Sequence, residues 1–418
     1  MSESAASLVG MQRRSFLALA AALACAQPAS GETRPSSLLG VAGDPAFLAW
    51  VDGYYARALA DGWSTTMLSA LLGGLSPDPR VLALNASQPE FAIPISDYIG
   101  RQATPAVAAM GRRRRDGVPE LSAIQATYGV PPDVLVAIWA MESGFGAQQG
   151  DMDVVRSLAT LAAEDPPRSA WAESQLEACL EILSAQRAPR GRLRGSWAGA
   201  MGQTQLIPSV FLETAVSASG IGSPDIWGSS ADALASAANL LAKAGWRRGG
   251  SWGGEVLLPA GFDVGLSEGP QEPPSWWEAR GVRRPDGGHW PTGDGEDEAE
   301  LILPAGASGP AFLVLKNHFV IRSYNNSLAY ALSVGLLADG IGGAGPLARA
   351  WPKETPLSLA DRMDAQTGLA KLGYSPGPPD GQIGLATRQA LRAWQRDHGL
   401  PPDGYLTPAL VQRLRTSA

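Results

Sequence analysis

The chain is poor in the residues that build metal and disulfide sites. Its 418 residues include two cysteines and three histidines. His289, His318 and His398 lie far apart and no cysteine pair has zinc spacing, which argues against a His/Cys metal centre. Cys25 falls in the N-terminal apolar stretch, leaving Cys179 alone downstream and no intrachain disulfide framework in a mature protein. Cys179 sits in a helical run (Ser174 to Leu183) and reads as a small buried hydrophobe. Positive charge is also short: 33 Lys and Arg against 40 Asp and Glu leave a formal charge of −7, a poor footprint for nucleic acid. No segment has the ~20 consecutive apolar residues that cross a bilayer.

What is present is core-forming material. Hydrophobic residues make up 45% of the chain, enough for two or three domains at ~150 residues each. Gly (49) and Pro (33) together stay below the roughly 25–30% that marks low complexity.

Residues 1–31 read as a targeting segment. Arg13-Arg14-Ser15-Phe16-Leu17 opens an 11-residue apolar run from Phe16 to Ala26, with Ala24-Cys25-Ala26 as a small-x-small cleavage site. The paired arginines resemble a twin-arginine export signal, and Ala22 to Cys25 resembles a lipoprotein processing site with Ala22 where Leu is usual. Met11 is an alternative start. The competing reading is an apolar N-terminal helix of the fold.

Residues 44–256 read mostly as helices, with apolar positions three and four apart in 45–72, 120–142, 170–186, 206–218 and 231–246. The texture then changes: 14 of the 37 residues from Pro259 to Gly295 are Gly or Pro, with Trp276, Trp277 and Trp290 among them. Strand-like runs at 255–258, 300–303 and 311–315 flank this stretch and predict a small β-containing insertion at about 255–316. Helical patterning returns at Ser327–Asp339, and Gly340–Pro356 reads as a Gly/Pro-rich linker. Near the end, Pro378-Pro379-Asp380-Gly381 recurs 23 residues later as Pro401-Pro402-Asp403-Gly404. Thr387 and Thr407, the latter followed by Pro408, read as helix caps after each turn. Leu391, Trp394, Leu410 and Leu414 face inward in a compact three-helix module.

Two sequence matches lack the context that their chemistry needs. Gly249-Gly250-Ser251-Trp252-Gly253 fits a nucleophile elbow but follows a helix and precedes a strand. Gly340-Ile341-Gly342-Gly343-Ala344-Gly345 fits a dinucleotide fingerprint but also follows a helix and reads as a flexible linker. Arg112–Arg115 reads as a solvated helix face or a turn.

One carboxylate stands out. Pro131-Pro132-Asp133 signals a helix start, and the apolar run Val134 to Met141 ends at Glu142 before Ser143-Gly144-Phe145-Gly146. Apolar neighbours disfavour the charged form. The negative end of the helix dipole adds roughly 0.3–1 kcal/mol in the same direction. Both raise the pKa and suit Glu142 to general-acid work. A solvated Glu at a frayed helix end is the alternative that this segment leaves open. Downstream, the segment Arg194 to Ser209 is rich in small residues, and its Ser196 and Gln205 offer neutral hydrogen-bonding groups for sugar hydroxyls and amides. Tyr324, Asn325 and Tyr330 offer aromatic faces and polar tips; Asn325 or Ser327 reads equally well as a helix cap.

These segments resemble a family. IWAMESGFG, GSWAGAMGQTQLIPS, DIWGSSADALASAANLLAKAGW and PAFLVLKNHFVIRSYNNSLAYALSVGLLAD are similar to the lytic murein transglycosylases of the membrane-bound B type, glycoside hydrolase family 103, over about residues 38–342. The stretch LAKLGYSPGPPDGQIGLATRQALRAWQRDHGLPPDG is similar to peptidoglycan-binding domains of the first type. The resemblance implies a mainly α (α+β) fold. It comprises a lysozyme-like catalytic domain at 38–342 with its β insertion, a linker at 343–356 and a three-helix peptidoglycan-binding domain at 357–418. It implies Glu142 as catalytic acid and Ser196, Gln205, Tyr324, Asn325, Tyr330 and Arg168 as substrate-binding residues. No cofactor is implied. Some relatives carry an acid-rich metal loop after the Pro-Ser motif, but Ser217–Ser223 holds no carboxylate, so no metal site is expected.

Carboxylate number points to mechanism. Ordinary glycosidases use two. With Glu142 as the one conspicuous acid, a lytic transglycosylase is expected: proton transfer to the oxygen between MurNAc and GlcNAc, then closure of a 1,6-anhydro ring. A hydrolytic muramidase would need a second acid, for which the adjacent Glu164 and Asp165 are the candidate pair in sequence. A non-catalytic wall-binding protein is the third reading. The expected partner is the peptidoglycan glycan strand, met in the periplasm by a monomer that touches membrane only through its N-terminal segment.

Overall fold

The computed structural model describes residues 34–86, 93–290 and 297–417. The expected targeting segment lies outside them. The chain divides into two units, Met1–Ser87 with Glu142–Leu240 and Gln88–Met141 with Leu241–Ala418.

In the first unit the helical spacing of 45–72 is carried by two helices, Pro45–Ala60 and Thr65–Leu72. Asp44 caps one and Ser64 the other, each accepting from a backbone N–H three residues on. Val154–Glu164 is central. Asp153 caps it, and Val154 to Ala162 are all buried apart from Arg156. It packs against Ser169–Ser184 and Pro45–Ala60, and Leu158, Leu161, Leu176 and Leu180 are fully enclosed. Such burial contributes about 1.5–3 kcal/mol per side chain. Cys179 lies in this core, where burial pushes its thiol up to about 12. A two-stranded antiparallel pair, β1 (Met152–Asp153) and β2 (Arg194–Gly195), ties the start of this helix to the downstream segment.

In the second unit Leu328–Gly342 is the central helix, with Leu332, Val334, Leu337 and Ile341 buried. It packs on Ile95–Gln102, Pro105–Asp116 and Lys316–Tyr324. Gly111 permits the close crossing, since a Cβ there would lie 2.6 Å from Ile341. The arginine run ends the Pro105–Asp116 helix and is partly recruited rather than solvated. Arg112 donates to the Gly340 carbonyl at 2.6 Å and Arg115 pairs with Asp133 at 2.8 Å.

The expected insertion is a three-stranded antiparallel sheet in the order β3-β5-β4, formed by β3 (Gly253–Val256), β4 (Glu300–Ile302) and β5 (Ala311–Val314). Central β5 is buried along its length and packs with Trp277, Val282 and Leu301. Gly253, the last residue of the apparent elbow, begins β3, and Ser251 falls in the approach to a strand, the wrong context for a nucleophile.

The linker departs from the flexible expectation. Gly340–Gly342 close the central helix, and Gly343 caps it in the left-handed region at φ 100°. Beyond, Glu255 accepts from Ala348 N and Arg349 N at 2.6 and 2.8 Å, Glu354 accepts from Ser96 N and the Tyr405 hydroxyl, and Trp351 meets the Phe312 ring. The terminal module has three helices, Leu359–Lys371, Leu385–Asp397 and Pro408–Ser417, around Leu369, Leu391, Trp394 and Leu414. Thr407 caps the last, as expected. Thr387 does not cap: the helix begins at Leu385, and the buried Thr387 hydroxyl donates to Pro376 O at 2.8 Å.

Candidate active site

Pro132–Ser143 is a helix whose run from Val134 to Trp139 is buried. Glu142 is half-buried in its last turn and belongs, with the segment that follows, to the first unit. The helix end is not frayed. The buried Ser143 hydroxyl donates to Gln203 O at 2.5 Å and accepts from Gly146 N at 2.9 Å. Phe145 is held at φ 62° between Gly144 and Gly146, both also in the left-handed region. A bulky residue in that conformation is strained and persists only where its surroundings over-determine it.

The surroundings come from residues 195–206, folded as a tight double-back. Ser196 N donates to Ala200 O at 2.8 Å, and Met201 and Leu206 exchange backbone bonds at 2.9 and 3.0 Å. Ser196 Oγ accepts from Ala198 N and Ala200 N at 3.3 and 3.1 Å, so the serine proposed for sugar contact shapes this turn. Gln205, at φ 52°, donates to Gln149 O and Gly202 O at 3.0 and 2.9 Å. The two segments interlock closely. A Cβ on Gly150 would sit 2.3 Å from Gly195 O, and one on Gly146 2.8 Å from the Gln203 amide oxygen.

Trp227 was not singled out by sequence, yet it joins these pieces. Its carbonyl accepts from both Gln149 and Gln203 side chains at 3.1 and 3.2 Å, and its indole donates to Arg194 O at 3.0 Å. Asp225 accepts from Trp227 N and Gly228 N and pairs with Arg192 at 2.9 Å. Burial alone would raise Asp225, but these bonds hold it below the usual carboxylate range. Arg168 precedes the Ser169–Ser184 helix, lies 3.8 Å from Asp165 and places its guanidinium 5.3 Å from the Trp197 ring centre. The signal for the missed residues was present as Gln148-Gln149 and Gln203-x-Gln205, polar pairs among small residues.

Residues 142–150 and 195–206 contain one carboxylate, Glu142. Of the acids that follow in sequence, Asp151 lies just beyond the first segment, Asp153 caps the Val154–Glu164 helix and pairs with Arg190 at 3.0 Å, Glu164 is raised by burial and then by Asp44, and Asp165 accepts from Asn85 at 2.8 Å.

Tyr324, Asn325 and Tyr330 belong to the second unit. The two tyrosine rings are nearly parallel, 13° apart with centres 6.5 Å apart; Tyr330 is buried and Tyr324 half-buried. Asn325 is exposed beyond the Lys316–Tyr324 helix, and Ser327 is the cap of the next.

The Ser217–Ser223 loop is organised by a carboxylate from outside it. Asp232 accepts from Ala218 N and Asp225 N, one on each oxygen, both at 2.9 Å. Ser217 and Ser219 hydroxyls turn inward to Ile221 O. A hard cation needs several free oxygens; here the Asp232 carboxylate accepts from one backbone N–H inside the loop and one just beyond it. Among the described residues no group of three His, Cys, Asp or Glu could hold a metal ion.

The chain as a whole is similar to known lytic transglycosylases. SltB3 from Pseudomonas aeruginosa in complex with NAG-anhNAM-pentapeptide superposes with a TM-score of 0.84 at 46% identity, covering 89% of this chain and all of that one. The membrane-bound lytic murein transglycosylase B of Escherichia coli is 31% identical over 219 residues, 51% of this chain and 58% of that protein. The Escherichia coli lytic transglycosylase Slt35 in complex with calcium gives a TM-score of 0.59 at 25% identity over 75% of this chain and 98% of that one. A putative peptidoglycan binding domain matches residues 358–414. The Transglycosylase SLT domain matches residues 46–339, most of the chain, and the protein belongs to that lytic transglycosylase family.

Proposed function

We propose that this protein cleaves the MurNAc–GlcNAc bond of peptidoglycan and leaves 1,6-anhydro-MurNAc ends, with Glu142 as the one acid and base. The observation that carries this reading is the carboxylate count: two interlocked segments present Glu142 and otherwise neutral groups from Ser143, Gln149, Ser196, Gln203 and Gln205. Glu142 gives its proton to the departing glycosidic oxygen, and the acetamido group of the muramic sugar stabilises the positive centre. The resulting carboxylate takes the proton of the muramic C6 hydroxyl, which attacks C1. That hydroxyl is tethered to the reacting sugar, so its effective concentration far exceeds that of a loosely held water. Arg168, Ser196, Gln205, Tyr324, Asn325 and Tyr330 bind the glycan, and half-buried Trp197 and Trp227 add apolar faces for sugar rings. The anhydro sugar bound to SltB3 is the product expected of this chemistry.

The catalytic domain spans 38–342 and the wall-binding domain 357–418. No helix among the described residues is long and apolar enough to cross a membrane. Residues 1–31 export the chain to the periplasm, where it acts as a monomer and meets membrane only through that segment.

Glu142→Gln keeps size and removes the titratable proton. A folded Glu142→Gln protein should clear sacculi at least ~10²-fold more slowly, the usual range for a lost general acid. Near-normal clearance refutes the assignment.

A further inference from the structure

The terminal module repeats in space as it does in sequence. Gln366 spans the first turn, accepting from Gly381 N at 2.7 Å and donating to Asp380 Oδ1 at 3.2 Å. Gln395 spans the second, accepting from Gly404 N and donating to Asp403 Oδ1, both at 2.8 Å. Each Asp Oδ1 also accepts from the N–H two residues on, of Gln382 and of Tyr405. Three and seven residues before each glutamine lie the residues that flank the turn glycine: Met363 and Leu359 by their side chains in the first repeat, Arg392 by its side chain and Arg388 by its carbonyl in the second.

The two faces differ in what covers them. On the second, Asp403 Oδ2 accepts from Ala307 N at 2.9 Å, Gly306 lies so near Tyr405 that a Cβ would be 2.9 Å away, and Glu268 is held by both arginines. The cover is thus a peptide backbone presented by Gly306-Ala307, plus one acid. On the first, Asp380 is exposed and its Oδ2 has no hydrogen bond among the described residues, while Leu359 and Met363 are 55% and 38% exposed.

We propose that this first face docks a peptide of small residues, the alanine-rich stem of peptidoglycan. Asp380 Oδ2 accepts a stem N–H as Asp403 accepts that of Ala307. Leu359 and Met363 cover alanine methyl groups where the equivalent arginines hold an acid. The proposal rests on the reading that residues 357–418 bind peptidoglycan, and adds which part of the polymer they take and by which face.

Hydrogen exchange on the full chain carrying Glu142→Gln tests it, with a synthetic stem pentapeptide and, separately, peptide-free glycan strands. At ten times its dissociation constant the pentapeptide should slow exchange at residues 380–384 about tenfold. Leu359→Asp with Met363→Asp should abolish that effect; Met363→Asp alone serves if the double variant melts early. Protection of the module by glycan strands but not by pentapeptide overturns the proposal and leaves a wall-binding module. No protection of residues 357–417 by either ligand or by whole sacculi overturns both.

Discussion

Ser196 shows how a residue's chemistry and its position can point to different roles. Its hydroxyl suits a sugar, yet Oγ accepts from two backbone N–H groups inside its own turn. Ser196→Ala should therefore cost about 1 kcal/mol of stability through those unsatisfied donors, with a fall in melting temperature beside the loss of the sugar contact. Lost activity with an unchanged melting temperature would mean that Ser196 serves the glycan alone and not the turn. Gly195 is stricter: a Cβ there would lie 1.9 Å from Ala200 O, which Ser196 N already uses. Gly195→Ala should open the turn and cost at least the ~1–3 kcal/mol of an overpacked site, read by thermal melting. The signal that nominates Glu142 is local: a helix start, an apolar run, one acid, then Gly-x-Gly. The partners that fix its helix end are not, since Gln203 lies 60 residues away.

At the scale of elements, the Ser217–Ser223 loop illustrates what composition misses. It holds no carboxylate, but Asp232, 14 residues beyond Ala218, enters it from the next helix and closes it through two backbone N–H groups. Asp232→Ala should destabilise the protein by about 1–3 kcal/mol, the cost of leaving those donors unpaired. Added calcium should leave the melting temperature unchanged, because binding to the native state would raise it by mass action. A calcium-dependent rise, reversed by chelator, would contradict this account. Helix ends are faint in the sequence for a related reason. Periodicity carried the apolar stripe across 45–72, while the capping Ser64 between its two helices is a single residue.

At the scale of the whole molecule, composition marks the Gly/Pro-rich stretch but not the contacts that pin the module beyond it. Glu268 and Arg388 are 120 residues apart, and no local pattern links them. Burial alone would raise Glu268; hydrogen bonds and charge from Arg388 and Arg392 outweigh it and hold the carboxyl below the usual range. A carboxylate depressed in the folded state contributes stability above its unfolded pKa, ~4.3, and loses it as pH falls through the folded value. Melting temperature should thus fall on acidification below about pH 4–5, and Glu268→Gln should be less stable at neutral pH with a flatter acid limb. An unchanged acid limb in that variant would assign the effect to other carboxylates.

The central claim is that one carboxylate suffices because the sugar supplies its own nucleophile. Digestion of sacculi in heavy-oxygen water, followed by mass spectrometry of the released muropeptides, tests it most directly. The account predicts unlabelled muramic ends lighter than hydrolysed ends by one water, about 18 mass units, because the C6 hydroxyl and not water closes on C1. Labelled reducing ends as the main product would contradict it, since water and not the C6 hydroxyl would then have closed on C1.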